Sequence, residues 1–317
     1  MSDIAWLYDI TDRYEEALKY LERLEELGQD DAWTNTEFGY CLSKLGRYEE
    51  AIKKLNHALE VEAENDDKDV SYIYARLGWC KRKLGMCDEA IEDFNKAKKW
   101  GRNDAVINAE IGHCYKAKDE YEEALKYYLQ AEKFDKKDPL IMSEIAWHYG
   151  ALGLYGESIK YIKKAMRLGR NDAWINVEYG ACLVGLDKYE EAIEKFEYAL
   201  NLNDEDKDKD LAFTHGQLGC CHRNLENYEE AIKYLMLSKE EGRNDVWTNL
   251  ELAMCYENLE DYEKALEYAL VAYELDKDDI GAISEVGIIY NNLEKYEEAL
   301  PFLLRAEELG RDDEWIN

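Results

Sequence analysis

The chain has 317 residues, 46% of them hydrophobic, with 40 Lys or Arg against 71 Asp or Glu and a formal charge of −31. This charge argues against a nucleic-acid partner, because a phosphate-binding surface needs clustered basic residues. The sequence has no apolar run of about 18 residues and no basic N-terminal stretch followed by an apolar one, so we expect neither a membrane span nor a secretory signal. We therefore expect a cytoplasmic protein.

A short motif, an aromatic residue followed by Glu-Glu-Ala, recurs along the whole chain and is called the marker motif below. It begins at Tyr14, Tyr48, Cys87, Tyr121, Tyr155, Tyr189, Tyr228, Tyr262 and Tyr296, and the copies at Cys87 and Tyr155 are degenerate. The copies are 34 residues apart, except for two spacings of 39 residues. Because a fixed period of this length is typical of solenoids, the sequence predicts nine repeats, and Trp315 opens a tenth.

A longer repetition is superimposed on this period. Residues 1–141 and 142–282 share about 60 identities when they are aligned without gaps. We therefore expect a single solenoid over residues 1–317, made of the super-repeats 1–141 and 142–282 and a partial third, 283–317. The chain looks like a segment of a longer array, because neither end carries the polar capping helix that an isolated solenoid needs.

Each repeat contains two segments with the apolar spacing of an amphipathic helix, called helix A and helix B. If the first residue of the marker motif is position 17, helix A covers about positions 2–14 and is apolar at positions 4, 7, 8 and 11. Helix B begins with the marker motif. Gly-Arg-Asn-Asp segments between repeats supply a helix stop and the next helix start. Two short helices cannot bury their apolar faces alone, so we expect an all-α stack of antiparallel helix pairs.

A period of 34 residues with this motif resembles the tetratricopeptide repeat (TPR) family over the whole chain. Small residues stand where TPR helices need close contact, at Gly39, Gly78, Gly112, Gly180, Gly219 and Gly287 in helix A and at Ala17, Ala51, Ala90, Ala124, Ala192, Ala231, Ala265 and Ala299 in helix B, with Ser158 as the exception. The usual TPR proline between repeats is mostly replaced by Gly-Arg-Asn-Asp. The resemblance implies a right-handed superhelical solenoid whose A helices line a concave, peptide-binding groove.

Positions 2, 6 and 9 of helix A form a second stripe, nearly opposite the apolar one, which we call the Trp–Glu stripe. Tryptophan occupies position 2 at Trp33, Trp174, Trp247 and Trp315 and position 9 at Trp6, Trp79 and Trp147, while Tyr40 also stands at position 9. Position 6 is acidic in seven of the nine repeats, at Asp3, Glu37, Glu110, Glu144, Glu178, Glu251 and Glu285. The two exceptions are Arg76 and Gln217, which correspond to each other across the super-repeats.

A large aromatic residue next to a carboxylate suits a cation or an arginine-containing ligand, through attraction to the ring face and a charge-assisted hydrogen bond. The predicted partner-binding residues are Trp6, Trp33, Glu37, Tyr40, Trp79, Glu110, Glu144, Trp147, Trp174, Glu178, Trp247, Glu251 and Glu285. A second interpretation stays open. Each tryptophan could cover the backbone of the neighbouring A helix, and the glutamates could pair with basic residues such as Lys44, Arg82, Lys83 or Arg223.

The sequence contains no pattern that predicts catalysis, a cofactor or a metal. It has no phosphate-binding glycine loop and no nucleophile motif. His215, Cys220, Cys221 and His222 crowd one helix without a usual metal-ligand spacing. Six of the eight cysteines recur at one place in the repeat, so we interpret them as small packing residues with reduced thiols.

The sequence therefore predicts a non-catalytic scaffold, in which an acidic, Trp-lined groove binds a basic or aromatic-rich segment of a protein or peptide that contains Arg or Lys. Two alternatives remain open. One is a peptide-sensing regulatory module of a larger protein. The other is a structural array that self-associates end to end.

Overall fold

The computed structural model describes residues 11–62, 67–202 and 210–310, which contain seventeen α-helices and no strand. The helices are α1 (Tyr14–Glu26), α2 (Ala32–Lys44), α3 (Tyr48–Glu62), α4 (Asp67–Lys83), α5 (Cys87–Lys99), α6 (Ala105–Lys116), α7 (Tyr121–Phe134), α8 (Pro139–Ala151), α9 (Tyr155–Arg167), α10 (Ala173–Val184), α11 (Tyr189–Asn201), α12 (Leu211–Asn224), α13 (Tyr228–Glu240), α14 (Val246–Asn258), α15 (Tyr262–Leu275), α16 (Ile280–Asn292) and α17 (Tyr296–Glu308). The predicted all-α class is confirmed. No helix among these residues is both long and apolar enough to cross a membrane.

The helix boundaries follow the repeat. Each odd-numbered helix begins at the first residue of a marker motif, so these are the B helices and the even-numbered ones are the A helices. Most A helices begin at position 1, one residue earlier than predicted. The stretches that the sequence assigns to the first helix A, with Trp6, and to the tenth repeat, with Trp315, lie outside the described residues.

The loop between repeats ends one helix and starts the next. At Gly169 the backbone has φ of 102°, a left-handed conformation that glycine adopts without strain. Asp172 lies just before α10, and its Oδ1 accepts a hydrogen bond of 2.9 Å from the backbone N–H of Ile175. Asp104 and Asp245 cap α6 and α14 in the same way. The stop and start signals predicted from Gly-Arg-Asn-Asp are thus confirmed.

Contacts within the chain define two compact units, residues 1–169 and 170–317, called the N-terminal and C-terminal units. The first contains α1–α9 and the second α10–α17. Within each unit, every helix packs against its neighbours in the chain, as expected for stacked helix pairs. The division lies beyond residue 141, where the first super-repeat ends. The single solenoid over residues 1–317 stays a prediction.

The small residues of the repeat lie buried where helix A meets helix B. A Cβ added to Gly180 of α10 would lie 2.6 Å from Cε1 of Phe196 in α11. The eight alanines of the marker motif are all buried. Ser158, which replaces the ninth, donates a hydrogen bond of 2.7 Å from Oγ to the carbonyl oxygen of Ala146. Its buried hydroxyl is therefore satisfied, and the deviating repeat keeps the close helix contact.

The cysteines are free thiols, and seven of the eight are buried. Burial raises the pKa of the Cys114 thiol to about 12, so the reactive thiolate is not formed near neutral pH. The interpretation of the recurring cysteines as packing residues is confirmed by this burial.

We expect Gly180→Ala to destabilise the protein by about 1–3 kcal/mol, because the new methyl group must displace the Phe196 ring in a packed core. Urea denaturation followed by circular dichroism measures this change. Gly156→Ala in α9 is the matched control, since a Cβ there meets nothing within 4 Å. It should stabilise the protein by up to about 1 kcal/mol through helix propensity. An equal effect of both substitutions would contradict the close-contact role of Gly180.

Candidate functional site

The tryptophans of the Trp–Glu stripe are only partly covered by the protein. Trp33 is 40% exposed, and Trp79, Trp147, Trp174 and Trp247 are half-buried. Part of each ring is therefore accessible to a partner, while the rest packs on the chain itself.

The loop between repeats explains part of this packing. Arg170 Cζ lies 4.5 Å from the centroid of the Trp174 ring, and Arg170 Nε donates a hydrogen bond of 2.8 Å to Asp172, the residue that caps α10. The same contacts recur in the loop before α14, where Arg243 lies over Trp247 at 4.5 Å. Cation–π attraction and an ion pair thus hold the loop against the first turn of the A helix. In both places the chain's own arginine lies over the indole ring.

Other tryptophans pack against neighbouring repeats. A Cβ at Gly216 of α12 would lie 3.2 Å from Cζ3 of Trp247, so this indole covers the backbone of the preceding A helix. Trp147 packs edge-to-face on Tyr121, with ring centroids 5.5 Å apart, and Lys116 Nζ lies 4.3 Å from its ring. Packing therefore accounts for much of the surface of these two rings, as the second interpretation of the sequence proposed.

Three glutamates of the stripe pair with a base on the preceding A helix, 28 residues earlier in the chain. Arg223 Nε donates to Glu251 at 2.6 Å, and a second guanidinium nitrogen donates to the same carboxylate at 3.1 Å. Lys116 Nζ donates a hydrogen bond of 2.9 Å to Glu144 Oε2, and Arg82 Nε donates a hydrogen bond to the Glu110 carboxylate. These ion pairs cross the contact surface between consecutive A helices, which we call the A–A interface. The glutamates therefore help to join successive repeats.

Two of the acids at position 6 are more deeply buried than their place on helix A predicts. Glu251 and Glu285 are each only 6% exposed, although position 6 was expected on the face turned away from the core. A neighbouring A helix packs against this position, as the ion pair of Glu251 with Arg223 of α12 shows, and the spacing within one isolated helix does not include that contact. Burial alone would lower the pKa of Arg223, but the hydrogen bond to Glu251 and the attraction of its charge together outweigh burial and raise the pKa of this guanidinium above its ordinary value.

Sequence reasoning named Arg82 and Arg223 as possible partners but missed Lys116. The common signal is a base at position 12, 28 residues before an acid at position 6 of the next repeat. The ion pair needs a basic residue at position 12 and an acidic residue at position 6 of the next repeat. Position 12 holds Val184 before Gln217, so the A–A interface between α10 and α12 has no such pair.

Arg76, one of the two exceptions at position 6, lies between aromatic rings in the N-terminal unit. Its Cζ is 3.8 Å from the centroid of the Tyr40 ring in α2 and 4.7 Å from that of Tyr72 in α4. Its guanidinium also donates a hydrogen bond to the Tyr72 hydroxyl. The predicted binding residue Tyr40 is thus already in contact with a cation of the chain.

A cavity of about 270 Å³ opens at the A–A interface between α10 and α12 in the C-terminal unit. Its walls include Trp174 and Glu178 of α10, Leu200 of α11, and Phe213 of α12, with Asp210 at the start of α12. The described residues of its lining include two aromatic rings and two carboxylates. The structure thus brings the predicted residues Trp174 and Glu178 together. Phe213 was missed by the sequence analysis, although it stands at position 2.

A smaller cavity of about 140 Å³ lies between α4 and α6 in the N-terminal unit. Trp79 and Glu110 line it, but Arg76 and Arg102 do so as well, and Glu110 is already paired with Arg82. This cavity therefore differs from the larger one in having two arginines in its lining.

Two histidines of the A helices pack inside the N-terminal unit. The Tyr128 hydroxyl lies 2.6 Å from His113 Nδ1, and His148 Nδ1 lies 2.7 Å from the carbonyl oxygen of Glu144, to which it donates. Burial lowers the pKa of both imidazoles below the ordinary value of 6.5. Both are therefore neutral at pH 7. Among the described residues, no group of three or more His, Cys, Asp or Glu is arranged to hold a metal ion.

Family models assign the chain. A tetratricopeptide repeat model matches residues 30–99 and 171–240, and a second one matches residues 2–31, 105–138 and 248–279. Together these segments cover most of the sequence, so the chain belongs to the tetratricopeptide repeat family. A comparison with curated proteins finds no match.

Solved structures of similar fold include a chain of the APC/C hetero-tetramer Cut9–Hcn1, with 16% identity and a TM-score of 0.61 over 96% of this chain and 58% of that one. The chain thus spans less than two thirds of that relative. The type IV pilus biogenesis factor PilW is 19% identical, with a TM-score of 0.59 over 67% of this chain and 96% of PilW. A TPR protein of Parabacteroides merdae is 14% identical, with a TM-score of 0.57 over 82% of this chain and 99% of that one. At these identities the likeness shows the fold alone.

We expect Glu251→Gln to destabilise the protein by about 2 kcal/mol, because it leaves the partly buried Arg223 guanidinium without its carboxylate. Glu144→Gln is the matched control. Its pair with Lys116 is more exposed, so the loss should stay below about 1 kcal/mol. Chemical denaturation measures the change in unfolding free energy of both variants. A larger loss for Glu144→Gln would contradict this ranking of the ion pairs.

Acidification should destabilise the protein through His113 and His148. Each contribution is complete above the unfolded-state pKa of 6.5 and is lost as the pH falls from there through the lowered folded-state pKa. His148→Gln should therefore reduce the slope of unfolding free energy against pH, by up to about 1.4 kcal/mol per pH unit.

His57 supplies the control of opposite sign. A hydrogen bond to Asp30 raises the pKa of His57, so its contribution is present at low pH and is lost as the pH rises through the folded-state pKa. His57→Gln should steepen the acid destabilisation. Denaturation between about pH 7.5 and pH 5 measures both slopes, and an unchanged slope in His148→Gln would contradict the assignment.

Proposed function

We propose that this protein is a non-catalytic scaffold that binds a basic or aromatic-rich segment of a partner protein on the A-helix face of its C-terminal unit. Family membership supports the first part, because TPR proteins are generally protein-interaction scaffolds. The cavity between α10 and α12 supports the second part, since its aromatic and acidic walls suit a cationic or aromatic side chain.

Charge favours a basic segment. Glu178 and Asp210 line the cavity, and the whole chain carries a charge of −31. A field of this sign raises the local concentration of cationic ligands and accelerates their association. The same carboxylates repel an acidic segment.

Five of the predicted binding residues can be assigned a role from their surroundings. Glu110, Glu144 and Glu251 already pair with bases of the chain, so we assign them to holding successive A helices together. Trp174 and Glu178 line the cavity, so we assign them to direct contact with the partner. A half-buried tryptophan at the wall of a cavity is a typical anchor in protein interfaces.

A cytoplasmic location fits this role. All eight cysteines are free thiols, and an oxidising compartment would favour disulfides in a chain so rich in cysteine.

Titration of an Arg/Lys-rich peptide tests the proposal, with binding followed by tryptophan fluorescence and calorimetry. We expect saturable binding that weakens with salt, and a loss of about tenfold in affinity in Glu178→Gln, because a charge-assisted hydrogen bond is removed. A Glu/Asp-rich peptide of the same length should not bind.

Glu37→Gln is the matched control. Glu37 occupies the place of Glu178 in the first super-repeat, so the change in net charge is the same. Its affinity for the basic peptide should stay close to that of the wild type. An equal loss of affinity in both variants would mean that the net charge of the protein alone causes the effect. An absence of binding by the wild type would refute the proposed function.

A further inference from the structure

We propose that the cavity between α4 and α6 binds an aromatic side chain of a partner, at the place that the indole of Trp247 occupies in the C-terminal unit. This site lies in the N-terminal unit, so it goes beyond the function proposed above, and neither proposal depends on the other. The two A–A interfaces that carry these residues are 141 residues apart in the sequence, between α4 and α6 and between α12 and α14.

The two interfaces are built on one frame. Each has an Arg–Glu ion pair between its A helices, a hydrogen bond from a lysine of helix B to an asparagine of the next helix A, and an aspartate that caps this second A helix. These contacts are made by Arg82–Glu110, Lys98–Asn108 and Asp104 in the N-terminal unit and by Arg223–Glu251, Lys239–Asn249 and Asp245 in the C-terminal unit. The interfaces therefore differ where their side chains differ.

In the C-terminal unit a tryptophan of the chain lies between the two A helices. The Trp247 indole covers the backbone of α12, since a Cβ at Gly216 would lie 3.2 Å from its Cζ3. Arg243 Cζ lies 4.5 Å from the centroid of the Trp247 ring and 5.5 Å from that of Phe213. The fold thus holds an aromatic ring against the backbone of one A helix and a guanidinium of the loop.

In the N-terminal unit a valine replaces this tryptophan. The residues Val106, Ala75 and Arg102 correspond to Trp247, Gly216 and Arg243. All three N-terminal residues line the cavity of about 140 Å³. The smaller side chain of Val106 thus coincides with a cavity at the place of the indole. Ala75 carries a methyl group where Gly216 has none, so a guest ring lies slightly farther from α4.

The size and the apolar walls of the cavity suit one aromatic ring. A cavity of about 150 Å³ is large enough to bind benzene. The described lining includes the apolar side chains of Ala75, Trp79, Phe94, Val106 and Ile107. Val106 is 57% exposed, so a ring can reach the cavity from solvent. Burial of an aromatic ring between such side chains is a typical anchor in protein interfaces.

The charges at the cavity favour an aromatic ring over a saturated one. Arg76 and Arg102 both line it, and Arg102 Cζ lies 5.4 Å from the centroid of the Tyr72 ring. Glu110 lines it as well, but its carboxylate already accepts a hydrogen bond from Arg82. An aromatic ring presents a negative face to a guanidinium, whereas a saturated ring of equal size gains only burial. The same arginines disfavour a cationic guest.

Four neutral Gly/Ser peptides that differ only in one central residue test the selection. That residue is tryptophan, phenylalanine, its saturated counterpart cyclohexylalanine, or alanine. We expect the tryptophan peptide to bind most tightly, the cyclohexylalanine peptide to bind about threefold more weakly than the phenylalanine peptide, and the alanine peptide not to bind. Equal affinity for phenylalanine and cyclohexylalanine would overturn the selection of an aromatic ring. Failure of the tryptophan peptide to bind would overturn the site and leave the function proposed for the C-terminal unit intact.

NMR of the Val106 methyl groups locates the binding. The ring current of a bound indole should shift these signals, because Val106 lines the cavity. Binding of the tryptophan peptide without such a shift would overturn the location.

Val106→Trp should supply the cavity with an indole of the chain, as in the C-terminal unit, and weaken binding of the tryptophan peptide by about tenfold or more. Leu140→Trp is the matched control. Leu140 stands at the same position 2 of helix A in α8, is 61% exposed and does not line the cavity. This variant should bind like the wild type. Undiminished binding by Val106→Trp would overturn the assignment of the cavity to a guest ring.

Arg102→Gln tests the guanidinium. It should make the phenylalanine and cyclohexylalanine peptides bind equally, because the attraction to the ring face is removed. Arg167→Gln removes the same charge at an exposed site of α9 outside the cavity lining and should keep the preference. Circular dichroism establishes that both variants fold. A preference for phenylalanine that survives in folded Arg102→Gln would overturn the role of this arginine.

Discussion

The close approach of helix A to helix B, at a glycine of helix A in six of the nine repeats, is the constraint on which the rest of the structure depends. At Gly180 and its five counterparts, an added Cβ would lie no more than 3.0 Å from a large side chain of helix B. This contact fixes the thickness of a helix pair, and stacking within each unit then brings consecutive A helices together at a regular spacing. The ion pairs between residues 28 apart depend on that regularity.

The A–A interfaces use this common geometry with different side chains. One type is closed by an ion pair, as between Arg223 and Glu251. A second is closed by an arginine between two rings, as at Arg76. A third, between α10 and α12, leaves a cavity against Trp174. These interfaces therefore differ from one another through a few side chains.

Much of the fold could be predicted from the sequence, because local signals and packing agree. The marker motif gives the start of every B helix, and Gly169 with Asp172 marks the end of one helix and the start of the next. The contact of Arg170 with Trp174 does not follow from helical spacing, because Arg170 lies in the loop before α10.

The site could be predicted only in part. The stripe on one helix places Trp174 and Glu178 side by side, but the burial of Glu251 depends on the A helix that stacks over it. The cavity depends on the volumes of residues such as Phe213 and Leu200 from neighbouring helices. No motif encodes such a difference in volume. It becomes visible only when three helices are placed together.

The equal spacing of the two super-repeats affects how the chain can change its length. Excision of residues 83–223 would join Arg82 to Asn224 and place Glu251 28 residues after Arg82, the separation that Arg82 and Glu110 have now. The shortened polypeptide would thus keep an arginine and a glutamate 28 residues apart across the new junction. The spacing of the charges that join consecutive A helices can therefore survive the loss of one full super-repeat.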